Sequence, residues 1–130
     1  MSDSDEKAWG LFKNVVGLAK GAEEHAAEAE REACCVLVLG EGEERKTAID
    51  MAFRHMTTAK RYTKGAHAYC QQLRALAEST GDSTHLRNAI SVASRAEKAK
   101  AIATKAGVAV AAFLDGSAFP DLVCEMTGLS

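Results

Sequence analysis

The chain has 130 residues, a formal net charge of −2, and a composition that is 47% hydrophobic but only 5% aromatic, with one proline. The length fits one domain, the charge balance gives no sign of a strongly basic nucleic-acid binder, and the hydrophobic content argues against a disordered chain. The scarcity of aromatic residues and proline, together with many alanines, argues against a β-sandwich or barrel and favours an all-α protein with a thin, alanine-lined core.

The first predicted helix covers residues 4–39. Ser4 is a suitable N-cap, and the acidic residues that follow it suit the first turn of a helix. Gly17 and Gly21 lower the helix propensity, so a helix broken between them, and hence a four- or five-helix bundle, is the alternative. Apolar or small residues recur at helical spacing, namely Ala8, Leu11, Val15, Leu18, Ala22, Ala29, Ala33 and Val36.

The second predicted helix covers residues 43–78 and follows a glycine-rich turn at 40–42. Its small and apolar residues alternate at spacings of three and four over four heptads, which is typical of a coiled-coil-like seam. The seam consists of Ile49, Ala52, Met56, Ala59, Thr63, Ala66, Cys70, Leu73 and Ala77.

A third predicted helix covers residues 84–114, and its last turns are apolar on every face. A short fourth helix over 118–127 is expected to cover that apolar end. Because the connections between the long helices are short, neighbouring helices should be antiparallel. We therefore predict one helical-bundle domain over residues 1–130, an elongated antiparallel three-helix bundle with a short fourth C-terminal helix.

No apolar run approaches the roughly 18 residues that span a bilayer, and the N-terminus is polar and acidic, unlike a signal or transit peptide. We expect a soluble, intracellular (cytoplasmic) protein. The cysteines show no metal-binding or redox spacing, so they are interpreted as reduced core thiols. They are Cys34, Cys35, Cys70 and Cys124.

The net charge conceals a segregation along the chain, because residues 1–44 sum to −7, residues 45–105 to +8 and residues 106–130 to −3. One interpretation sets an acidic first helix against two basic ones, with rim charges selecting the pairing. The other leaves a basic surface on helices two and three for an acidic partner, RNA or an anionic membrane surface. The candidate basic surface consists of Arg54, Lys60, Arg61, Lys64, Arg95 and Lys98.

None of the four histidines has the Glu-x-x-His pattern of a helical di-iron site, and His25 with Glu24 and Glu28 is interpreted as a solvated acidic helix face. We expect no metal, no cofactor and no small-molecule substrate.

The spacing of Arg61 and His67 resembles the active motif of HEPN-type ribonucleases. The resemblance implies that Arg61 would stabilise a phosphate and His67 would act as general acid or base, so a metal-independent ribonuclease is an alternative function.

The stretch 86–100 resembles the third helix of microtubule-interacting and transport domains. The resemblance implies a three-helix bundle that docks amphipathic tails of membrane-trafficking proteins in its grooves.

We expect a non-enzymatic protein–protein interaction or assembly module, which binds a protein partner or a second copy of the chain. The candidate partner-binding residues are Trp9, Leu11, Phe12, Val15, Phe119, Leu122, Val123 and Met126.

Overall fold

The computed structural model describes residues 2–115, which form three α-helices and, within that range, no strand. They are α1 (Asp3–Val38), α2 (Glu43–Thr80) and α3 (Thr84–Leu114). Every pair of helices is in contact, so the all-α prediction with three packed helices is confirmed. The predicted fourth helix, with Phe119, Leu122, Val123 and Met126, lies outside the described residues.

The helices run up, down and up. As residue numbers rise along α1, the numbers of the contacting residues on α2 fall, so α1 and α2 are antiparallel. The same relation holds between α2 and α3, so these helices are antiparallel as well. The helices α1 and α3 are therefore parallel to each other. The contacts that fix these directions are Leu18 with Gly65, His25 with His55, Trp9 with His85, Glu23 with Arg95, Thr63 with Ala96, and Arg45 with Phe113.

The N-cap of helix α1 is Ser2 and not Ser4, and the helix begins at Asp3, one residue before the predicted bound. The Ser2 hydroxyl accepts a hydrogen bond from the Asp5 backbone N–H at 3.2 Å, and the Asp5 carboxylate accepts one from the Ser2 N–H at 3.4 Å. This reciprocal capping box satisfies two backbone donors that the helix itself leaves free. The helix then continues without a break through Gly17 and Gly21, which rules out the four- or five-helix alternative.

The turn between α2 and α3 depends on Gly81 and Asp82. Gly81 ends α2 in the left-handed conformation, with φ 76°, which a residue without Cβ adopts at little cost. The Asp82 carboxylate then accepts a hydrogen bond at 3.0 Å from the Thr84 backbone N–H at the start of α3. This hydrogen bond from Thr84 holds the pKa of the Asp82 carboxyl below its usual value.

Most buried side chains in the described core are alanines, with a few larger residues at intervals along the bundle. The largest fully buried side chains are Leu73, Val15, Val36, Val110 and Thr63. Alanine contributes little apolar area by itself, so the helix backbones must approach closely for the core to exclude water. The predicted seam of α2 is buried at Ala52, Ala59, Thr63, Ala66, Cys70 and Leu73, with Ile49 and Met56 partly buried at its edges.

Aromatic contacts close both ends of the described bundle. At one end, Trp9 stacks on Phe12 with ring centroids 5.6 Å apart, and both rings contact the His85 ring of α3. At the other end, the Arg45 guanidinium lies 4.4 Å from the centre of the Phe113 ring, so α2 and α3 are joined by a cation–π contact.

The outer surface near the end of α3 is apolar, with Val108 and Leu114 about half exposed. The C-terminal segment that the sequence predicts as its cover lies outside the described residues. None of the described helices is long and apolar enough to cross a membrane.

Gly21 permits the closest approach between α1 and α2, because the Tyr62 ring lies where a side chain would otherwise begin. A Cβ at residue 21 would lie 2.5 Å from two carbon atoms of that ring, whereas a Cβ at residue 17 would meet open space. Both glycines lower the helix propensity, but only Gly21 is needed for the packing of α1 against α2.

We expect Gly17→Ala to raise the free energy of unfolding by about 0.5–1 kcal/mol, since it restores helix propensity without a clash. Gly21→Ala should instead lower that free energy by about 1 kcal/mol, because displacement of the Tyr62 ring outweighs the same propensity gain. Urea denaturation of the two variants and the wild-type chain measures both effects. Equal stabilisation by the two substitutions would contradict the close Gly21–Tyr62 packing.

Thr63 is the one polar residue buried in the described core. Its hydroxyl lies 2.9 Å from the Ala59 carbonyl oxygen of its own helix and 3.1 Å from the Ala96 carbonyl oxygen of α3, and it donates toward both. The alanine at position 96 brings the α3 backbone close enough for this contact.

Thr63→Val should lower the free energy of unfolding by about 1 kcal/mol, because a methyl group of the same size replaces the donor to both carbonyls. The exposed Thr57 provides the matched control, and Thr57→Val should change stability by no more than about 0.5 kcal/mol. Thermal and urea denaturation of both variants measure the difference. If the two substitutions have the same effect, the hydroxyl contact between α2 and α3 does not stabilise the fold.

Candidate partner-binding groove

The six residues of the predicted basic surface lie on three different faces of the bundle. A helix turns by about 100° per residue, so neighbouring basic residues point in different directions. The single basic surface expected from the sequence is therefore divided. Lys60 and Lys64 line a groove between α2 and α3, Arg54 and Arg61 lie on the outer face of α2, and Arg95 and Lys98 line a groove between α1 and α3.

Direct ion pairs between the acidic helix α1 and the basic helices α2 and α3 are few among the described residues. Among residues 2–115, one ion pair joins α1 to either basic helix, between Arg95 and Glu23 at 2.5 Å. The ion pairs Arg31–Glu28, Lys46–Glu43 and Arg54–Asp50 each lie within one helix. Rim charges between the acidic and basic helices therefore do not select the pairing of α1 with α2.

The groove between α2 and α3 lies on the side of these helices that α1 leaves open. It has two stretches, of about 510 and 350 Å³, which share His67 and Glu97. The first stretch is lined by Lys60, Thr63, Lys64, His67, Glu97 and Lys100. The second is lined by His67, Cys70, Gln71, Arg74, Ile90, Ala93, Ser94 and Glu97.

A polar bridge crosses the middle of the groove. The His67 Nε2 atom lies 2.6 Å from the Glu97 Oε1 atom, which links α2 to α3. Glu97 is the one carboxylate among the described residues that line the groove, and this contact engages it. The rim therefore presents four cationic side chains without an ion-pair partner in the described chain, those of Lys60, Lys64, Arg74 and Lys100.

The floor of the groove is closed and apolar. Cys70 and Ala93 are buried there, and the Ile90 side chain stands at the edge with 45% of its surface exposed. Burial raises the pKa of the Cys70 thiol, and the nearby Arg74 charge lowers it by less. The Cys70 sulfur thus remains a protonated packing atom at neutral pH and offers no reactive thiolate.

Four of the predicted partner-binding residues lie in α1, and the structure distributes them between core and surface. Leu11 and Val15 are buried in the core, because the face of α1 on which they stand points toward α2 and α3. They are therefore not available to a partner as the sequence suggested. Trp9 is 44% exposed, and Phe12 is partly buried against the core.

The structure separates the two residues of the ribonuclease-like motif. Arg61 lines the outer face of α2 with Phe53 and Arg54, whereas His67 lines the α2/α3 groove and contacts Glu97. Six residues on a helix correspond to a rotation of about 240° from one side chain to the other. Arg61 and His67 therefore do not converge on a common phosphate position.

Arg74, Ile90 and Lys100 are outside the predicted site residues, although helical spacing carries a signal for them. On α2, Lys60, Lys64, His67, Gln71 and Arg74 repeat at intervals of three and four beside the buried seam. On α3, Ile90, Ser94, Glu97 and Lys100 show the same repeat. Polar stripes that flank a seam on two successive helices predict the walls of one groove.

We expect Cys70 to react with a thiol reagent such as DTNB about tenfold more slowly than Cys34 at pH 8, because its burial and raised pKa both lower the accessible thiolate. Two variants that each keep only one of these cysteines, the others replaced by serine, allow the comparison. In urea the two rates should become equal. A native Cys70 as reactive as Cys34 would mean that the groove floor is open.

No group of three or more His, Cys, Asp or Glu side chains is arranged to hold a metal within residues 2–115. Comparison with family models, with curated proteins and with solved structures finds no match for this chain. The geometry of the groove therefore carries the functional assignment.

Proposed function

We propose that the protein is a non-enzymatic interaction module whose α2/α3 groove docks an acidic, amphipathic helical segment of a protein partner. The observation that supports this most is the combination, in one groove, of cationic side chains without ion-pair partners along the rim and an apolar floor beside the exposed Ile90. Helices that bind in grooves use one apolar face for affinity and their flanking charges for orientation.

The charge distribution favours an acidic occupant. Lys60, Lys64 and Lys100 surround the larger stretch of the groove, and Arg74 lies at the far end of the smaller one. Carboxylates on the occupant would pair with these side chains without competition from α1, because α1 lies on the opposite side of both helices. Glu97 is the one carboxylate among the described residues that line the groove, so the rim remains predominantly cationic.

The dimensions of the groove favour a helix of about four turns. From Lys60 to Arg74 the chain rises through fourteen residues of α2, or roughly 21 Å at 1.5 Å per residue. An occupant helix of that length can place apolar side chains on Ala93 and beside Ile90. The small residues of the floor let the occupant backbone approach closely, as the helices of the bundle approach one another.

The same features argue against the other partners that the sequence left open. No Phe, Tyr or Trp is among the described residues that line this groove, so bases of single-stranded RNA have no stacking platform there. Anionic membranes bind broad basic faces, whereas the basic residues here lie on three faces and the groove is concave.

A fluorescein-labelled helical peptide of about sixteen residues, with glutamates on one face and leucines on the other, serves as the probe. We expect Lys60→Glu/Lys64→Glu to weaken its binding about tenfold or more, since two attractive contacts become repulsive. Arg54→Glu/Arg61→Glu makes the same charge change on the outer face of α2 and should alter the affinity by about twofold or less. Fluorescence anisotropy at two salt concentrations measures both.

Ile90→Asp should weaken binding of the same peptide in low and high salt alike, because it removes the apolar contact at the groove edge. Equal losses in the groove variant and the outer-face variant would overturn the proposal. Tighter binding of a single-stranded RNA oligonucleotide or of phosphatidylserine vesicles than of the peptide would also overturn it. So would a groove that accepts only a second copy of the chain, detected as concentration-dependent dimers in sedimentation.

A further inference from the structure

Two histidines from different helices meet at the interface of α1 and α2, away from the residues that line the groove. The Nδ1 atoms of His25 and His55 lie 2.8 Å apart, and the ring centroids are 5.0 Å apart with an interplanar angle of 31°. Both side chains are partly buried. At this separation an Nδ1–H group of one ring can donate a hydrogen bond to an unprotonated Nδ1 atom of the other.

We propose that His25 and His55 form a two-histidine site that binds a divalent late transition metal, such as Zn²⁺, Cu²⁺ or Ni²⁺, through their Nδ1 atoms. Neutral imidazole is a preferred ligand of these ions, whereas Ca²⁺ and Mg²⁺ require oxygen ligands that are not gathered here. The metal would take the place of the proton that the two nitrogens share. The site lies apart from the α2/α3 groove, so its failure would leave the proposed docking function untouched.

To accept the ion, the two nitrogens must separate slightly and each ring must tilt, because a tetrahedral ion lies off the line that joins the two Nδ1 atoms. Tetrahedral coordination with metal–nitrogen distances of 2.0–2.1 Å places two ligand nitrogens about 3.3 Å apart. The Nδ1 atoms of His25 and His55 would therefore separate by roughly 0.5 Å. The histidine that donates its Nδ1 proton would carry that proton on Nε2 instead, so a neutral pair binds the ion without net release of a proton.

The pair is held in place by neighbouring packing. The absence of a Cβ at Gly21 lets the Tyr62 ring lie against α1. The Tyr62 and His25 rings are in edge-to-face contact, with centroids 5.3 Å apart and an interplanar angle of 76°. Tyr62 is thus a positioning residue for His25. Gly21 and Tyr62 together hold His25 in place beside His55.

Two protein ligands leave two tetrahedral positions open. No third His, Cys, Asp or Glu side chain among residues 2–115 joins the pair in a ligand group. Water or a small anion would fill the open positions, so the ion would exchange readily and bind more weakly than in a closed structural site.

The test adds ZnCl₂ or NiCl₂, in molar excess, to the metal-free full chain in the presence of a phosphine reductant. We expect the melting temperature of the wild-type chain to rise by about 4 °C, because the ion binds the folded state. His25→Gln and His55→Gln should each abolish the rise. His67→Gln and His85→Gln, which change histidines outside the pair, should keep it.

Ring ¹⁵N chemical shifts of the wild-type chain provide a second readout that cysteine binding would not move. The Nδ1 resonances of His25 and His55 should shift on addition of Zn²⁺, with Nε2 protonated in both rings. Tyr62→Leu should weaken the affinity several-fold while the same two nitrogens still respond. The proposal fails if the temperature rise persists in both His25→Gln and His55→Gln, or if neither Nδ1 resonance of the wild-type chain moves.

Discussion

Close approach of alanine-lined helix backbones is the constraint on which this structure depends. Alanine carries one methyl group, so a core made mostly of alanine excludes water only when the helices lie nearer to each other than leucine-filled helices would. Because the helices are 31 to 38 residues long, small residues must face each other at many successive turns. A few larger residues, such as Leu73 and Val15, are fully buried among the alanines.

Several local features follow from that closeness. Thr63 reaches a carbonyl oxygen of the neighbouring helix because only Ala96 stands at the contact. Gly21 accommodates the Tyr62 ring, and Gly107 likewise accommodates the end of the Met56 side chain. Each of these contacts would be lost if the helices lay farther apart. The small residues at the seams therefore stabilise the bundle and also determine which side chains meet.

The same packing shapes the surface. Three helices with small core residues form a narrow bundle, so much of each helix circumference remains exposed and most of the charged residues lie there. Only one described ion pair links α1 to another helix, so the acidic and basic helices are held together by apolar contacts and not by charge. The basic charge on α2 and α3 therefore stays available, and part of it borders the groove.

Helical periodicity was the strongest signal available before the structure. The described helices end within two residues of the bounds that the sequence predicts, because Gly40, Gly42 and Gly81 interrupt long patterns that are otherwise unambiguous. Ser2 and Ser4 both precede acidic residues, but only Ser2 is followed three residues later by a carboxylate, Asp5, so the capping-box pattern is a sequence signal for the observed N-cap. The spacing of Leu11 and Val15 fits the core as well as the predicted partner surface, and the structure places both residues in the core.

By itself, the sequence determined that the chain is helical, where the three helices lie and which residue types line their seams, because these properties are local and periodic. Only the tertiary structure decided which distant side chains meet. The pairing of His25 with His55, the bridge from His67 to Glu97 and the division of the basic residues among three faces depend on how each helix is rotated about its axis. The seam pattern fixes each rotation well enough to bury the small residues, but too coarsely to show which side chains at the edges of the seams meet.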